Sequence, residues 1–221
     1  MGCLDVNVVA ATEAKVNVAS TTYKLFYFKP PVWSVVRSDG FVLRFSTKDS
    51  AMSHVKPLTL EEAPESSKPL LKAIKEKFGK SLNLFSTLAH QPDVLGGVTQ
   101  INDGLQNDLP EKYRELAYYN ASQINDCEYC SHYHRKGAKK AGCSDAQLDS
   151  MNASDENLFD DKERAVLQYS EQLTKTSRVD AAVVSQLQTF LDDRQLVTLA
   201  ATVGLANLTN RINNGLDIEL P

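Results

Sequence analysis

The sequence has few cysteines, no long apolar run and no excess of basic residues, and each absence excludes a class of protein. Its 221 residues include four cysteines, too few for a disulfide-rich secreted domain. No stretch approaches the roughly 20 apolar residues of a membrane-spanning helix, so we expect a soluble protein without a membrane partner. The net charge of -4, with acids and bases interspersed, argues against a basic surface for nucleic acid.

Two further signals are missing from the sequence. Residues 1–20 contain two acidic residues and no continuous apolar core, so they do not resemble a secretory signal. We therefore expect a reducing compartment, the cytoplasm. No glycine-rich motif for a flavin, a nicotinamide or a phosphate group is present, so we expect no cofactor.

Residues 1–51 differ in composition from residues 52–221. They hold seven of the 17 aromatic residues, with six basic against four acidic side chains. Asp39-Gly40 lies between two β-favouring runs, which is a typical hairpin pattern. The β-favouring runs of this segment are Val6–Val9, Tyr23–Phe28, Val32–Val36 and Phe41–Phe45.

The segment 1–51 is open to two interpretations. It is either a β-rich appendage or sequence upstream of the functional start, and we favour the second because 51 residues make a poor independent core. Met52 would be a plausible start for the helical domain at 52–221. We therefore divide the chain into a β-prone N-terminal extension, 1–51, and one helical domain, 52–221.

Residues 52–221 show helical periodicity with recognisable helix ends. We predict an all-α domain of about seven or eight helices. Gly79 and Gly142 are expected to end two of them, and Asp160, Asp180 and Asp192 to precede three others. The expected helical segments are Ser66–Phe78, Leu82–His90, Pro92–Gln106, Glu111–Ile124, Cys127–Ala141, a short segment from Ser144, Lys162–Thr174, Ala181–Leu191 and Arg194–Ile212.

The reactive side chains are concentrated between residues 125 and 134. At about 100° per residue, Cys127, Cys130 and His134 fall within about 60° of one another on a helix, whereas His132 points away. With Asp126 as N-cap, Cys127 would lie in the first turn, where the helix dipole favours a thiolate. His134, one turn after Cys130, is placed to accept its proton.

Spacing alone leaves three hypotheses for the Cys-x-x-Cys pair. The first is a dithiol–disulfide redox centre. The second is a zinc site with Cys127, Cys130 and His134 as ligands, which would need a fourth ligand from His132, Glu115, His54 or His90. The third is a pair of buried structural cysteines. We favour the redox centre.

The wider pattern resembles the alkylhydroperoxidase D (AhpD) group of the carboxymuconolactone decarboxylase superfamily. The resemblance rests on Glu115, Cys127, Cys130 and His134 at their spacing, and it extends over about 160 residues, from near Leu58 to the end. It also includes Lys112–Leu116 before the motif and Asn207–Asn214 near the end of the chain. Residues 1–51 have no counterpart in it.

This resemblance implies an AhpD-like multi-helix bundle and a homo-oligomer, as a trimer, dimer or hexamer. It also implies that Cys127 and Cys130 are the redox pair, with Glu115 and His134 as the proton relay. One departure is Tyr129, which stands where the best-known peroxidase has a further relay histidine. The superfamily's decarboxylases lack this cysteine pair, so lactone chemistry is disfavoured.

The implied activity is that of an antioxidant alkyl hydroperoxide reductase with peroxide as acceptor. Cys130 would attack the peroxide and Cys127 would close the disulfide. The expected partners are a hydroperoxide substrate and an external dithiol or lipoyl-type reductant protein. A protein disulfide reductase using the same dithiol, or a non-enzymatic zinc-binding or interaction module, is the alternative.

Overall fold

The structure, a computed structural model, describes residues 53–151 and 155–221 in full and the backbone of four strands within residues 1–52. The chain divides into two compact units, residues 1–51 and residues 52–221.

The N-terminal unit contains an antiparallel sheet with the strand order β1-β2-β3-β4. Three predicted runs correspond to β2, β3 and β4. β1 was missed because Glu, Lys and Asn, which are uncommon in strands, mask its alternation. Val6–Val9 and Asp39-Gly40 lie outside the described residues. The strands are β1 (Glu13–Val18), β2 (Thr21–Phe28), β3 (Val32–Arg37) and β4 (Val42–Ser46).

The described residues of the second unit form nine helices and no strand, which confirms the all-α prediction. Each of the nine helices corresponds to one of the nine expected segments, so the expected total of about seven or eight was slightly too low. They are α1 (Lys68–Phe78), α2 (Asn83–Leu88), α3 (Pro92–Gly104), α4 (Glu111–Ile124), α5 (Glu128–Lys140), α6 (Asp145–Ser150), α7 (Asp161–Thr176), α8 (Ala181–Leu187) and α9 (Asp193–Gly215).

Most helix ends follow local chemistry that is legible in the sequence. Asp160 and Asp192 cap α7 and α9 by accepting from backbone N–H groups, and each forms a reciprocal capping box. Gly79 ends α1 with a φ of +71°, in the left-handed region where a residue without a β-carbon is favoured. Asp180 precedes α8 as expected, although its side chain makes no cap hydrogen bond.

Helix α4 is central to this unit, because it contacts α5, α7 and α9. Its residues from 116 to 122 are all buried, with Leu116, Ala117 and Ala121 at 0% exposure, so no face of its middle turns is open to solvent. Buried hydrogen bonds join α7 to α4: the Ser170 hydroxyl donates to the Ala117 carbonyl at 2.7 Å, and the Asn120 amide donates to the Leu167 carbonyl at 3.1 Å. The central position of α4 lets it carry a buried ionisable group beside α5.

No helix in residues 53–151 and 155–221 is long and apolar enough to cross a membrane.

Candidate active site

The site begins at a tight connection between α4 and α5. Asp126 has a φ of +51°, and the N–H groups of Asp126 and Cys127 bond back to the carbonyls of Gln123 and Ser122 at 3.1 and 2.9 Å. This pair of bonds around a left-handed residue is a Schellman motif, which ends α4. The same connection places Cys127 directly at the start of α5.

Cys127, rather than Asp126, is the N-cap of α5. Its Sγ accepts a hydrogen bond from the Cys130 N–H at 3.4 Å. The expectation that Asp126 caps this helix was wrong, because Asp126 is used in left-handed conformation to end the helix before. Cys127 therefore lies outside the first turn that was expected to favour its thiolate.

The pKa values of the two thiols are shifted in opposite directions. The pKa of Cys130 is lowered to about 7, chiefly by a side-chain hydrogen bond with Cys127; burial opposes this shift, while Asn210, the charge of His134 and Asn213 assist it. The pKa of Cys127 is raised, first by that same hydrogen bond and then by burial. Both cysteines are buried, at 1% exposure for Cys127 and 4% for Cys130. Cys130 is therefore the thiol that ionises first.

Glu115 on α4 and His134 on α5 are in direct contact. Oε2 of Glu115 lies 2.9 Å from Nδ1 of His134, and the Glu115 side chain is only 12% exposed. Burial on its own raises the pKa of Glu115, but the hydrogen bond and charge of His134, with Arg114, outweigh it and hold the pKa below its ordinary value. The carboxylate therefore stays ionised and orients the imidazole.

Three residues that the sequence analysis did not identify support this pair. Arg114 places Nη2 3.4 Å from Oε1 of Glu115. Tyr118 stacks on the His134 ring, with centroids 3.5 Å apart and planes at 15°. Gly137 faces the Glu115 carboxylate so closely that a β-carbon there would clash with it. Tyr118 lies three residues after Glu115, and Gly137 lies three residues after His134. This spacing places them on the same helix faces, but it does not assign them a role.

A fourth missed residue, Asn213 of α9, contacts the reactive sulfur. Its Nδ2 donates to Cys130 Sγ at 3.1 Å, and the residue is 2% exposed. Asn213 belongs to the run Asn207–Asn214, which the sequence analysis noted without assigning a role. Its contact crosses 83 positions of the chain, so no local pattern predicts it.

An open cleft of about 510 Å³ lies beside the N-terminus of α5. Cys127, His132, Arg135 and Leu220 are among its lining residues, whereas Cys130 is not. Arg135 is engaged by Asp145 and Asp149, with nitrogen–oxygen distances of 3.2 and 2.7 Å. Of the two cysteines, Cys127 is thus the residue that borders the cleft.

The other expectations for this region have mixed outcomes. Tyr129 is buried, and its hydroxyl accepts from the Leu84 N–H at 3.2 Å, so here it joins α5 to α2.

Within the fully described residues, no group of three or more His, Cys, Asp or Glu side chains could hold a metal ion, so the zinc hypothesis has no ligand set there. Cys143 is buried in a separate apolar cluster. The catalytic roles of Glu115, Cys127, Cys130 and His134 stay predictions.

Comparison with known proteins agrees with this architecture. Residues 92–172 match the model of the Carboxymuconolactone decarboxylase family. A solved structure described as an alkylhydroperoxidase AhpD core, an uncharacterized peroxidase-related protein from Ralstonia eutropha JMP134, superposes with a TM-score of 0.68 at 23% identity; the match covers 77% of this chain and 93% of that one. The helical unit has the AhpD-like fold, and residues 92–172 within it are similar to the Carboxymuconolactone decarboxylase family.

Two further proteins are similar to this chain, one in sequence and one in fold. The uncharacterized protein YnjA of Escherichia coli (strain K12) is 35% identical over 115 residues, which are 51% of this chain and 63% of YnjA. The debrominase Bmp8, solved with 2,3,4-tribromopyrrole, has a TM-score of 0.65 at 16% identity, covering 76% of this chain and 91% of Bmp8. Proteins of this fold thus include a debrominase and an uncharacterized peroxidase-related protein, so the fold does not name the reaction, which must be inferred from the site.

Proposed function

We propose that the protein is a thiol-dependent peroxidase that reduces hydrogen peroxide or organic hydroperoxides through Cys127 and Cys130. The observation that carries the proposal is the buried contact of 2.9 Å between Glu115 Oε2 and His134 Nδ1, one helical turn from Cys130, whose pKa is lowered to about 7. A thiolate is the nucleophilic form of cysteine, and a pKa near 7 makes it abundant at neutral pH. The adjacent Cys127 supplies a second thiol at the distance of one helical turn.

The first step of the proposed reaction is attack by the Cys130 thiolate on one oxygen of the peroxide. The O–O bond breaks, the sulfur is oxidised to a sulfenic acid, and the other oxygen leaves as alkoxide or hydroxide. His134, oriented by Glu115, receives the thiol proton and returns it to the leaving oxygen, which departs as alcohol or water. The contact of 2.9 Å between Glu115 and His134 supports this role, because the carboxylate stabilises the imidazole when it carries the extra proton.

The second step regenerates the thiols. The Cys127 thiol attacks the sulfenic sulfur of Cys130, forms the disulfide and releases water. An external dithiol then reduces this disulfide by two thiol–disulfide exchanges. A small dithiol or a lipoyl-bearing protein has the required chemistry. The proposal includes a homo-oligomer and a reducing compartment, the cytoplasm, in which the pair would serve as an antioxidant.

A second candidate function is favoured by one observation. Cys127 borders the open cleft, whereas Cys130 does not. In exchange with a protein disulfide, the outer cysteine meets the partner first and the inner one resolves the mixed disulfide. The raised pKa of Cys127 opposes this order, because little of it is thiolate at neutral pH. We therefore rank disulfide reduction second.

The two functions are separated by steady-state turnover with dihydrolipoamide or dithiothreitol as donor. We expect consumption of hydrogen peroxide or tert-butyl hydroperoxide, lost in Cys130→Ser and in Cys127→Ser. Cys143→Ala is the matched control, because Cys143 is buried in the other cluster. Reduction of a small disulfide or of insulin without peroxide consumption would instead establish the reductase.

A further inference from the structure

Asn213 is buried next to the sulfur of Cys130 and makes two contacts through one nitrogen. Its Nδ2 lies 3.1 Å from Cys130 Sγ and 2.9 Å from the carbonyl oxygen of Thr209. An amide nitrogen carries two hydrogens, so one is available for each contact. The residue is 2% exposed, which leaves little room for water to substitute.

The contact with Thr209 determines which end of the Asn213 amide faces the sulfur. A backbone carbonyl only accepts hydrogen bonds, so the amide atom beside it must be the nitrogen. Turning the amide by 180° would set two acceptor oxygens against each other. The group that reaches Cys130 is therefore a donor.

The other end of the Asn213 amide has no partner. Oδ1 is buried and accepts no hydrogen bond. Asn210, one turn earlier, differs: it accepts from Asn125 at 2.9 Å and donates to Ser122 Oγ at 3.1 Å. An unpaired buried oxygen is unfavourable, so packing alone does not account for an asparagine at position 213.

We propose that Asn213 stabilises the thiolate of Cys130 by donating an N–H hydrogen bond to its sulfur. The inference rests on the proposed function in naming Cys130 as the reacting thiol. The sulfur of a thiolate carries a full negative charge and is a much stronger acceptor than that of a thiol. A fixed donor therefore favours the ionised form, and it needs no reorganisation when the charge appears.

Asn213 complements the groups that α5 provides. Cys127 reaches the sulfur from the start of the same helix, whereas Asn213 reaches it from α9. The residue lies outside the matched family segment 92–172. The reactive thiol would thus depend on a helix that the Cys-x-x-Cys motif does not include.

The test is the pH dependence of Cys130 alkylation in the full-length protein. Reduced protein is treated briefly with iodoacetamide at a series of pH values, and peptide mass spectrometry measures the labelling of Cys130. Asn213→Leu keeps the approximate size and removes the donor. We expect its midpoint to rise by about one pH unit or more, which means about tenfold less thiolate below both midpoints.

Asn120→Leu is the matched control. Asn120 is also a buried asparagine, and its side-chain nitrogen donates to the Leu167 carbonyl at 3.1 Å rather than to a cysteine. We expect this variant to lose stability with the Cys130 midpoint unchanged. Equal midpoint shifts in the two leucine variants would overturn the proposal, because the effect would then come from loosened packing.

Asn213→Asp is the second variant, in case Asn213→Leu does not fold. Aspartate has nearly the shape of asparagine, but its carboxyl group carries at most one hydrogen. If that hydrogen is donated to the Thr209 carbonyl, or if the group is ionised, no donor is left for the Cys130 sulfur. We expect a raised midpoint here too. A midpoint unchanged from wild type, in either folded variant, would contradict the inference.

The alkylation readout is independent of the proposed peroxidase activity. A protein that consumes no peroxide but shows the midpoint shift would overturn the proposed function and leave the role of Asn213 standing. An active peroxidase with an unshifted midpoint in Asn213→Leu would do the reverse.

Discussion

Gly137 and Glu115 are packed so closely that the Glu115 carboxylate fills the space a β-carbon on Gly137 would need. The same carboxylate oxygen, Oε2, contacts His134 at 2.9 Å. A glycine on α5 therefore permits the approach of α4 that brings the acid and the imidazole together.

The first prediction concerns Gly137→Ala. The added methyl group should displace the carboxylate from His134 and slow the peroxide step nearly as much as loss of Glu115 itself. Alanine has the higher helix propensity, by about 1 kcal/mol, which offsets part of the steric cost. The free energy of unfolding should therefore change little while the rate of the peroxide step falls. Gly97→Ala is the control, because nothing lies within 4 Å of a β-carbon there. Full activity in Gly137→Ala would show that the contact with Glu115 is dispensable.

The second prediction concerns the relay. Glu115→Gln and His134→Gln should each slow peroxide-dependent sulfenic acid formation by about 10² to 10⁴, the usual contribution of a general acid–base group. The double variant should be little worse than either, since residues acting as one unit have non-additive effects. Stopped-flow measurement of the single-turnover rate, beside denaturant unfolding, checks both points.

Glu163→Gln is the matched control for Glu115→Gln. Glu163 is a buried carboxylate whose partners are Lys112, Gln147 and the Asp160 N–H, the last at 3.2 Å, rather than His134. We expect it to lose stability and keep the peroxide rate. A wild-type rate in Glu115→Gln would make Glu115 a structural residue.

The third prediction is the pH dependence of the reaction. Cys130 has a pKa lowered to about 7, chiefly through the side-chain hydrogen bond with Cys127, and the thiolate is the reactive form. The second-order rate with peroxide should therefore rise tenfold per pH unit below about pH 7 and level off above it. A profile that keeps rising to about pH 8.5, the value of an ordinary thiol, would contradict the assigned environment.

Local chemistry explains how much of the fold could be predicted from sequence. Helix α4 begins after Pro110 and ends before Asn125, so both of its bounds were predicted correctly. The start of α5 was misplaced by one residue, because an aspartate beside a helix can cap it or, as here, take the left-handed conformation that ends the preceding helix. Sequence alone does not distinguish these two uses of Asp126.

The site shows the same division. The spacing of Cys127, Cys130 and His134 follows from one helix, and the resemblance to a family added Glu115. Gly137 and Asn213 were missed because their roles depend on how α4 and α9 pack against α5. Contacts between distant helices leave no periodic trace in the sequence.

The fourth prediction concerns residues 1–51. A chain beginning at Met52 should be helical by circular dichroism and should keep the Cys130 titration and peroxide rate of the full chain. The reason is that the described site residues all belong to the second compact unit. The full-length protein is the control. Loss of folding or of assembly on truncation would show that the first unit is required.

The central claim is that Cys127 and Cys130 form one redox centre, and a single-turnover oxidation tests it most directly. Reduced protein is mixed with one equivalent of hydrogen peroxide without a donor, free thiols are alkylated, and the peptides are mapped by mass spectrometry. We predict loss of one equivalent of peroxide and one disulfide, between Cys127 and Cys130, with Cys143 still reduced. Unreacted peroxide with both thiols alkylated would contradict the account.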